Sequence, residues 1–163
     1  MRLSFRIKHH FFSAFRELFV YNHSSLEFRA KIFALLIATN ESSSVEAYIV
    51  VKKAGNKIYK NNEERADLLM ISTKELVNKV KENNGLYVDT LISNIQKELR
   101  AIPRYAKKID IELLKPIIAL SHDEDTIIYQ KNILNFLRDI KEEILHEKKS
   151  QIAQEEKELA SKE

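Results

Sequence analysis

Glycine and proline are unusually scarce in this chain. Its 163 residues include only two glycines, Gly55 and Gly85, and two prolines, Pro103 and Pro116. Proteins built from β-sheets need many tight turns, and tight turns depend on these two residue types. We therefore predict an all-α fold, a single-domain bundle of about seven helices joined by short polar segments.

Apolar residues recur three and four positions apart in seven segments, as they do on one face of an α-helix. The predicted helices span residues 3–21, 25–39, 44–54, 62–83, 87–101 and 111–121, and a seventh begins at Thr126. Segment 25–39 is apolar on most sides, so we expect it to be the central, buried helix. Gly55 is expected to end the third helix in a left-handed conformation, and Pro116 predicts a kink or a later start in the sixth.

Polar residues at the joints predict helix caps. Three pairs have the spacing of a capping box, in which each side chain satisfies one free backbone N–H. These pairs are Ser24 with Glu27, Ser43 with Glu46, and Asn61 with Glu64. Asp110 is suited to cap the sixth helix.

Charge and hydropathy divide the chain into three parts. Residues 1–23 form a basic amphipathic segment, residues 24–146 a helical core, and residues 147–163 a charged tail that is either a frayed helix or disordered. Residues 1–60 hold ten Lys and Arg against four Asp and Glu, a net charge of +6, and the rest of the chain carries −3. This polarity suggests that the basic end faces an anionic surface or partner, although solvated helix faces would also explain it.

The familiar catalytic patterns are absent. The chain has no cysteine, and two glycines are too few for the loops that cradle phosphates in nucleotide-binding enzymes. No serine lies in the GxSxG motif of hydrolases. We therefore expect a protein that is not an enzyme and has no small-molecule substrate, and the absence of cysteine fits a cytoplasmic location.

The N-terminal segment is a candidate contact surface. Phe11 and Phe15 share an apolar arc, while Arg2, Arg6 and Arg16 lie beside it. This composition is found in helices that lie in a membrane interface, and equally in helices that pack on a domain core or in a partner's groove. No segment is long and apolar enough to span a bilayer, so we expect at most peripheral binding at the inner membrane face. Nucleic acid fits poorly, because the basic residues are not interleaved with aromatic stacking platforms.

An acidic joint, His122-Asp123-Glu124-Asp125, precedes the seventh helix. Carboxylates at a helix start bind the free N–H groups and suit the helix dipole, which favours a capping role. The alternatives are a hard-cation site and a partner contact. The spacing of an EF-hand calcium loop fails here, because Ile128 and Leu134 stand where that loop needs Gly and Glu.

One pattern occurs twice: an apolar helix ends in small and polar residues, and a polar residue opens the next helix. The first copy is Leu35-Leu36-Ile37-Ala38-Thr39-Asn40 followed by Glu46. The second is Ile117-Ile118-Ala119-Leu120-Ser121-His122-Asp123 followed by Thr126 and Gln130. Over roughly residues 25–145 the chain therefore resembles the TerB-like domain of tellurite-resistance proteins and of some membrane-anchored co-chaperones.

The resemblance implies an all-helical interaction domain that acts near membranes or in stress-response complexes, with a protein partner of unknown identity. In the family, acidic residues of the repeated pattern are thought to gather a divalent metal. The corresponding residues here are Asn40, Glu46, Asp123 and Asp125, so a divalent cation is the one possible cofactor.

Overall fold

The computed structural model describes residues 24–42, 44–82 and 86–162. These residues form six α-helices and one 3₁₀ helix and contain no strand, which confirms the predicted all-α fold. The helices are α1 (Ser24–Ala38), α2 (Val45–Ile58), α3 (Glu63–Lys81), α4 (Val88–Ala101), the 3₁₀ helix η1 (Pro103–Lys108), α5 (Ile111–Ile118) and α6 (Glu124–Ala160). The predicted helix over residues 3–21 lies outside the described residues, as do Ser43 and the side chain of Ser24.

Helix α1 is the centre of the bundle, as predicted. It packs against α3, α4, α5 and η1, and it is apolar on almost every side. Its buried residues are Leu26, Phe28, Ala30, Ile32, Phe33, Ala34, Leu35, Leu36 and Ile37. The ring of Phe28 lies 5.1 Å from that of Tyr105 in η1, centroid to centroid. Burial of each large apolar side chain contributes about 1.5–3 kcal/mol, so this helix organises the core.

Gly55 lies inside α2, so the prediction that it ends the helix in a left-handed conformation is wrong. A Cβ atom at this position would lie 2.8 Å from the Cα of Ala66 in α3 and 3.0 Å from its Cβ. Glycine is therefore needed for the close approach of two helices. The chain reverses instead at Lys60 and Asn61, whose φ angles are 53° and 64°.

The caps follow the predictions in part. Asp110 caps α5 by accepting hydrogen bonds from the backbone N–H groups of the next turn. Asn62 caps α3 by accepting from the Arg65 N–H at 3.1 Å, so the cap predicted at Asn61 is displaced by one residue. This shift follows from the left-handed backbone of Asn61, because an N-cap residue needs an extended backbone.

Two helix ends differ from the prediction. Helix α5 begins at Ile111 despite Pro116 within it and ends at Ile118, so the alternative of a later start is wrong and the helix is shorter than expected. Helix α6 begins at Glu124 and continues for 37 residues to Ala160, about 55 Å at 1.5 Å per residue. Its last buried residue is Ile144, and residues 151–162 are all exposed.

Candidate functional site

The two joints that carry the repeated pattern meet in space. The Asn40 side chain, after α1, donates a hydrogen bond from Nδ2 to the Ser121 Oγ, after α5, at 3.2 Å. Ser121 Oγ donates to Gln130 Oε1 of α6 at 2.8 Å, and Gln130 Nε2 donates to the Leu36 carbonyl at 3.0 Å. We call the group formed by Asn40, Ser121, Gln130 and the Leu36 carbonyl the polar junction. It ties three helices together.

Burial makes these hydrogen bonds important. Gln130 is 1% exposed and Ser121 is 7% exposed, and a buried polar group without a partner costs about 1–3 kcal/mol. The last carbonyls of a helix also lack partners within the helix. The Leu36 carbonyl, in the last turn of α1, accepts from Gln130 and from the Thr39 hydroxyl at 2.7 Å. The junction therefore provides a hydrogen-bond partner for a backbone carbonyl at the end of the central helix.

Both polar atoms of the Asn40 side-chain amide form hydrogen bonds. Its Oδ1 accepts from the backbone N–H and from the hydroxyl of Ser42, each at 3.0 Å, while its Nδ2 reaches Ser121. The amide oxygen that a divalent cation would need is thus engaged in the loop. The observed arrangement is that of a structural joint.

The other proposed metal ligands act locally. Asp123 caps α6: its Oδ2 accepts from the N–H and the hydroxyl of Thr126, both at 2.8 Å, and these bonds lower the pKa of Asp123. Hydrogen bonds from its own backbone N–H and from the Ser44 hydroxyl lower the pKa of Glu46. Asp125 is exposed in the first turn of α6. Within the described ranges, no three His, Asp or Glu side chains are placed to hold a metal ion together.

The space at the junction is small. A cavity of about 10 Å³ lies between α1, α2, α5 and α6, roughly enough for one water molecule. Its lining comprises Ile37, Asn40, Ser44, Ala47, Ile117, Leu120 and Gln130. This cavity cannot hold a substrate, so what the junction offers to other molecules is its outer surface.

Exposed apolar side chains also occur on α2 and α6, two helices whose residues line that cavity. Val45 follows Ser44 and is 73% exposed, and Ile49, one turn later, is 47% exposed. Tyr129 precedes Gln130 and is 44% exposed, and Ile128 is 51% exposed. These four residues lie near the starts of α2 and α6, as do the exposed carboxylates of Glu46, Asp123 and Asp125, and we call these seven residues the junction face.

A separate groove of about 480 Å³ lies between the end of α4, η1 and α6. The basic side chains of Arg100, Arg104 and Lys148 line it, and Glu147 is the one carboxylate among the described residues of its lining. The pKa of Lys108, in the same 3₁₀ helix, is lowered by burial and then by two arginines close to it. Positive charge is therefore concentrated along this side of the molecule.

The sequence patterns missed the junction itself. Gln130 occupies a position in the apolar stripe of α6, between Ile127 and Ile133, where a polar residue needs an explanation. That polar residue in an apolar stripe was the available signal, but no pattern in the sequence indicates that its partners are Ser121 and the Leu36 carbonyl.

The remaining predicted contact residues, Arg2, Arg6, Phe11, Phe15 and Arg16, lie outside the described residues. Among the residues that are described, no helix has the length and hydropathy required to cross a membrane. Comparison of the chain with protein-family models, with curated proteins and with solved structures gives no match.

Proposed function

We propose that this chain is a non-enzymatic helical interaction domain of the TerB-like type, which binds a protein partner through the junction face. The observation that carries the proposal is the hydrogen bond between Asn40 and Ser121, residues 81 positions apart. The two segments on which the family resemblance rests are thereby joined into one unit. Such pairing gives the repeated pattern a structural purpose.

The junction also supports a binding role because it is rigid. Both polar atoms of the Gln130 side-chain amide are hydrogen-bonded. Tyr129 and Ile128 precede Gln130 on the same helix. Val45 and Ile49 stand on α2, whose start lines the same cavity. Residues held on packed helices lose little conformational freedom on binding, which favours affinity.

The composition of the junction face indicates the kind of partner. Exposed apolar residues that cluster mark interaction surfaces, and the junction face as defined consists of four exposed apolar side chains and three carboxylates. Glu46, Asp123 and Asp125 would attract and orient a segment that carries Lys or Arg beside apolar side chains. We therefore expect the partner to present a basic, amphipathic segment.

The experiment compares partner capture by three forms of the full chain. The native chain, the Ile49→Glu variant and the Tyr87→Glu variant are cross-linked in lysate of the source organism, and the captured proteins are identified by mass spectrometry. Tyr87 is the control: it is 59% exposed, against 47% for Ile49, and it precedes α4, a helix that packs against α1 and η1.

We expect to find a protein that the native chain and the Tyr87→Glu variant both capture and the Ile49→Glu variant does not. Circular dichroism must show that all three chains have the same helix content. If the Ile49→Glu variant captures the same proteins as the native chain, the junction face is not the binding surface.

A further inference from the structure

The end of α6 extends beyond the body of the protein. Beyond Ile144 no described residue is buried, yet the helix continues to Ala160. Two large apolar side chains are exposed on this extension: Ile152 is 46% exposed and Leu159 is 67% exposed. They do not pack against the core cluster, whereas Leu145 packs partly against it.

These apolar residues form one seam. Leu145, Ile152 and Leu159 are spaced seven residues apart, and seven residues make almost two full turns of an α-helix. Helices that pair in coiled coils carry apolar side chains at two of every seven positions, and this seam supplies one of the two. The seam is narrow, because the positions between its members are charged or polar except for Ala153.

The charges on either side of Ile152 are opposite and evenly placed. Lys148 and Lys149 precede Ile152 by four and three residues, and Glu155 and Glu156 follow it by three and four. Spacings of three or four residues would let opposite charges pair within one helix, but each lysine stands at least six residues from these glutamates. Among the ion pairs of the described residues, none includes any of these four side chains.

We propose that the end of α6 is a self-association surface, on which two copies of this chain pair antiparallel about a two-fold axis at Ile152. In this arrangement Ile152 faces Ile152 of the second copy, and Leu145 faces its Leu159. Lys148 lies beside Glu155 of the second copy on one flank. Lys149 lies beside its Glu156 on the other.

The charges select this orientation. The two-fold axis makes every flanking pair occur twice, so the antiparallel dimer has four Lys–Glu contacts. A parallel, in-register pair would place lysines beside lysines and glutamates beside glutamates, and like charges at such positions are destabilising. The same apolar seam would therefore be opposed by its own charges in the parallel orientation.

The basic groove adds to the complementarity. Lys148 belongs both to the flank of the seam and to the lining of the groove with Arg100 and Arg104. Glu155 of the second copy therefore arrives on the side of α6 where these arginines lie. The carboxylates at the end of one α6 would meet the basic groove of the other copy.

The dimer should be weak. Its contact covers about 15 residues of each helix, which buries well below the roughly 1,600 Å² of a standard interface. We expect a dissociation constant in the range of about 10–500 μM. Sedimentation velocity of the full chain over that concentration range measures it directly, as a shift from the monomer mass of 19.1 kDa toward twice that mass.

Variants of the seam test the contact. Ile152→Glu places two carboxylates on the two-fold axis and should raise the dissociation constant by more than about tenfold, whereas Ile152→Leu should change it little. All these substitutions are at exposed positions outside the core, so folding is not at risk. A native chain that stays monomeric at about 500 μM, or a dimer that Ile152→Glu leaves intact, overturns the proposal.

Charge reversal tests the register. The Lys148→Glu, Lys149→Glu double variant and the Glu155→Lys, Glu156→Lys double variant should each be monomeric alone and form a heterodimer when mixed. The chain with all four substitutions should dimerise like the native chain. Homodimers of either double variant would show that the flanking charges do not face each other.

Cross-linking tests the orientation, because the chain contains no cysteine. A mixture of Lys149→Cys and Glu156→Cys chains should form a disulfide under mild oxidation, since these positions face each other only in the antiparallel pair. Each chain alone should give much less product. Cross-linking of each chain with itself, and none in the mixture, would establish a different arrangement and refute the proposed one.

Discussion

The polar junction makes a quantitative prediction about stability. In the Gln130→Met variant, an apolar side chain of similar length replaces the amide and removes two hydrogen bonds, one to Ser121 and one to the Leu36 carbonyl. A hydrogen bond contributes about 1 kcal/mol net. Both partners of the amide, Ser121 and the Leu36 carbonyl, belong to buried residues. The Leu36 carbonyl keeps its bond from Thr39, so the expected loss in the free energy of unfolding is about 2 kcal/mol.

Urea unfolding followed by circular dichroism at 222 nm measures this loss. Gln151→Met is the matched control, because Gln151 is exposed on the same helix and the same substitution there should change stability by less than about 0.5 kcal/mol. Combining Gln130→Met with Ser121→Ala should cost about 1 kcal/mol less than the sum of the single losses. Equal effects at Gln130 and Gln151, or strict additivity of the pair, would refute the junction as an energetic unit.

Two further predictions concern the scaffold. Gly55→Ala should destabilise the protein by about 1–2 kcal/mol, because the new Cβ would meet the Cα of Ala66 at 2.8 Å. This overpacking outweighs the gain of about 1 kcal/mol that alanine usually brings to a helix. Urea unfolding measures the change, and a stabilised variant would contradict the close approach of the two helices. Asp123 has a lowered pKa in the folded chain, so its cap stabilises the fold above the unfolded pKa of about 4 and loses this effect as the pH falls through the folded pKa. The Asp123→Ala variant should therefore lose less stability than the native chain between about pH 5 and pH 2, and thermal unfolding over this range measures the difference.

The helical fold could be predicted because it depends on local signals. The scarcity of Gly and Pro, the helical spacing of apolar residues and the continuous apolarity of α1 all indicate the same structure. Asp110 could be predicted as a cap for the same reason, since a cap involves only residues within one turn. These features depend on short stretches of sequence and little on tertiary packing.

The errors arose where tertiary contacts outweigh local preference. Glycine commonly ends helices, but Gly55 lies inside α2, where Ala66 approaches it closely. The left-handed turn is formed instead by Lys60 and Asn61. The tail beyond Glu147 lacks the apolar stripe of a packed helix. It was predicted to be either a frayed helix or disordered, and the structure has the helix, because the tail continues a helix already nucleated by its packed first half and extending a helix costs far less than starting one.

The candidate site was only partly accessible from sequence. The repeated pattern drew attention to both joints and to Gln130, but the metal hypothesis required the acidic residues to converge. In the structure Asp123 is engaged with Thr126 and Asn40 with Ser42, so each is explained by its own loop. The joints are brought together by a chain of hydrogen bonds between uncharged side chains and a backbone carbonyl. Uncharged polar residues of this kind form no sequence motif with a recognisable spacing.

Helix α6 links the two proposed surfaces, because the junction lies near its start and the self-association seam near its end. Gln130 and Ile152 are 22 residues apart, so an antiparallel dimer about Ile152 would hold its two junctions about 66 Å apart along the helix axis. A partner that presents two sites at a matching distance would gain avidity of about 10²–10⁴ over a single site without any new contact. A partner with one site would gain nothing. The junction face would therefore determine which partner is recognised, and the end of α6 would determine whether multivalent partners are preferentially retained.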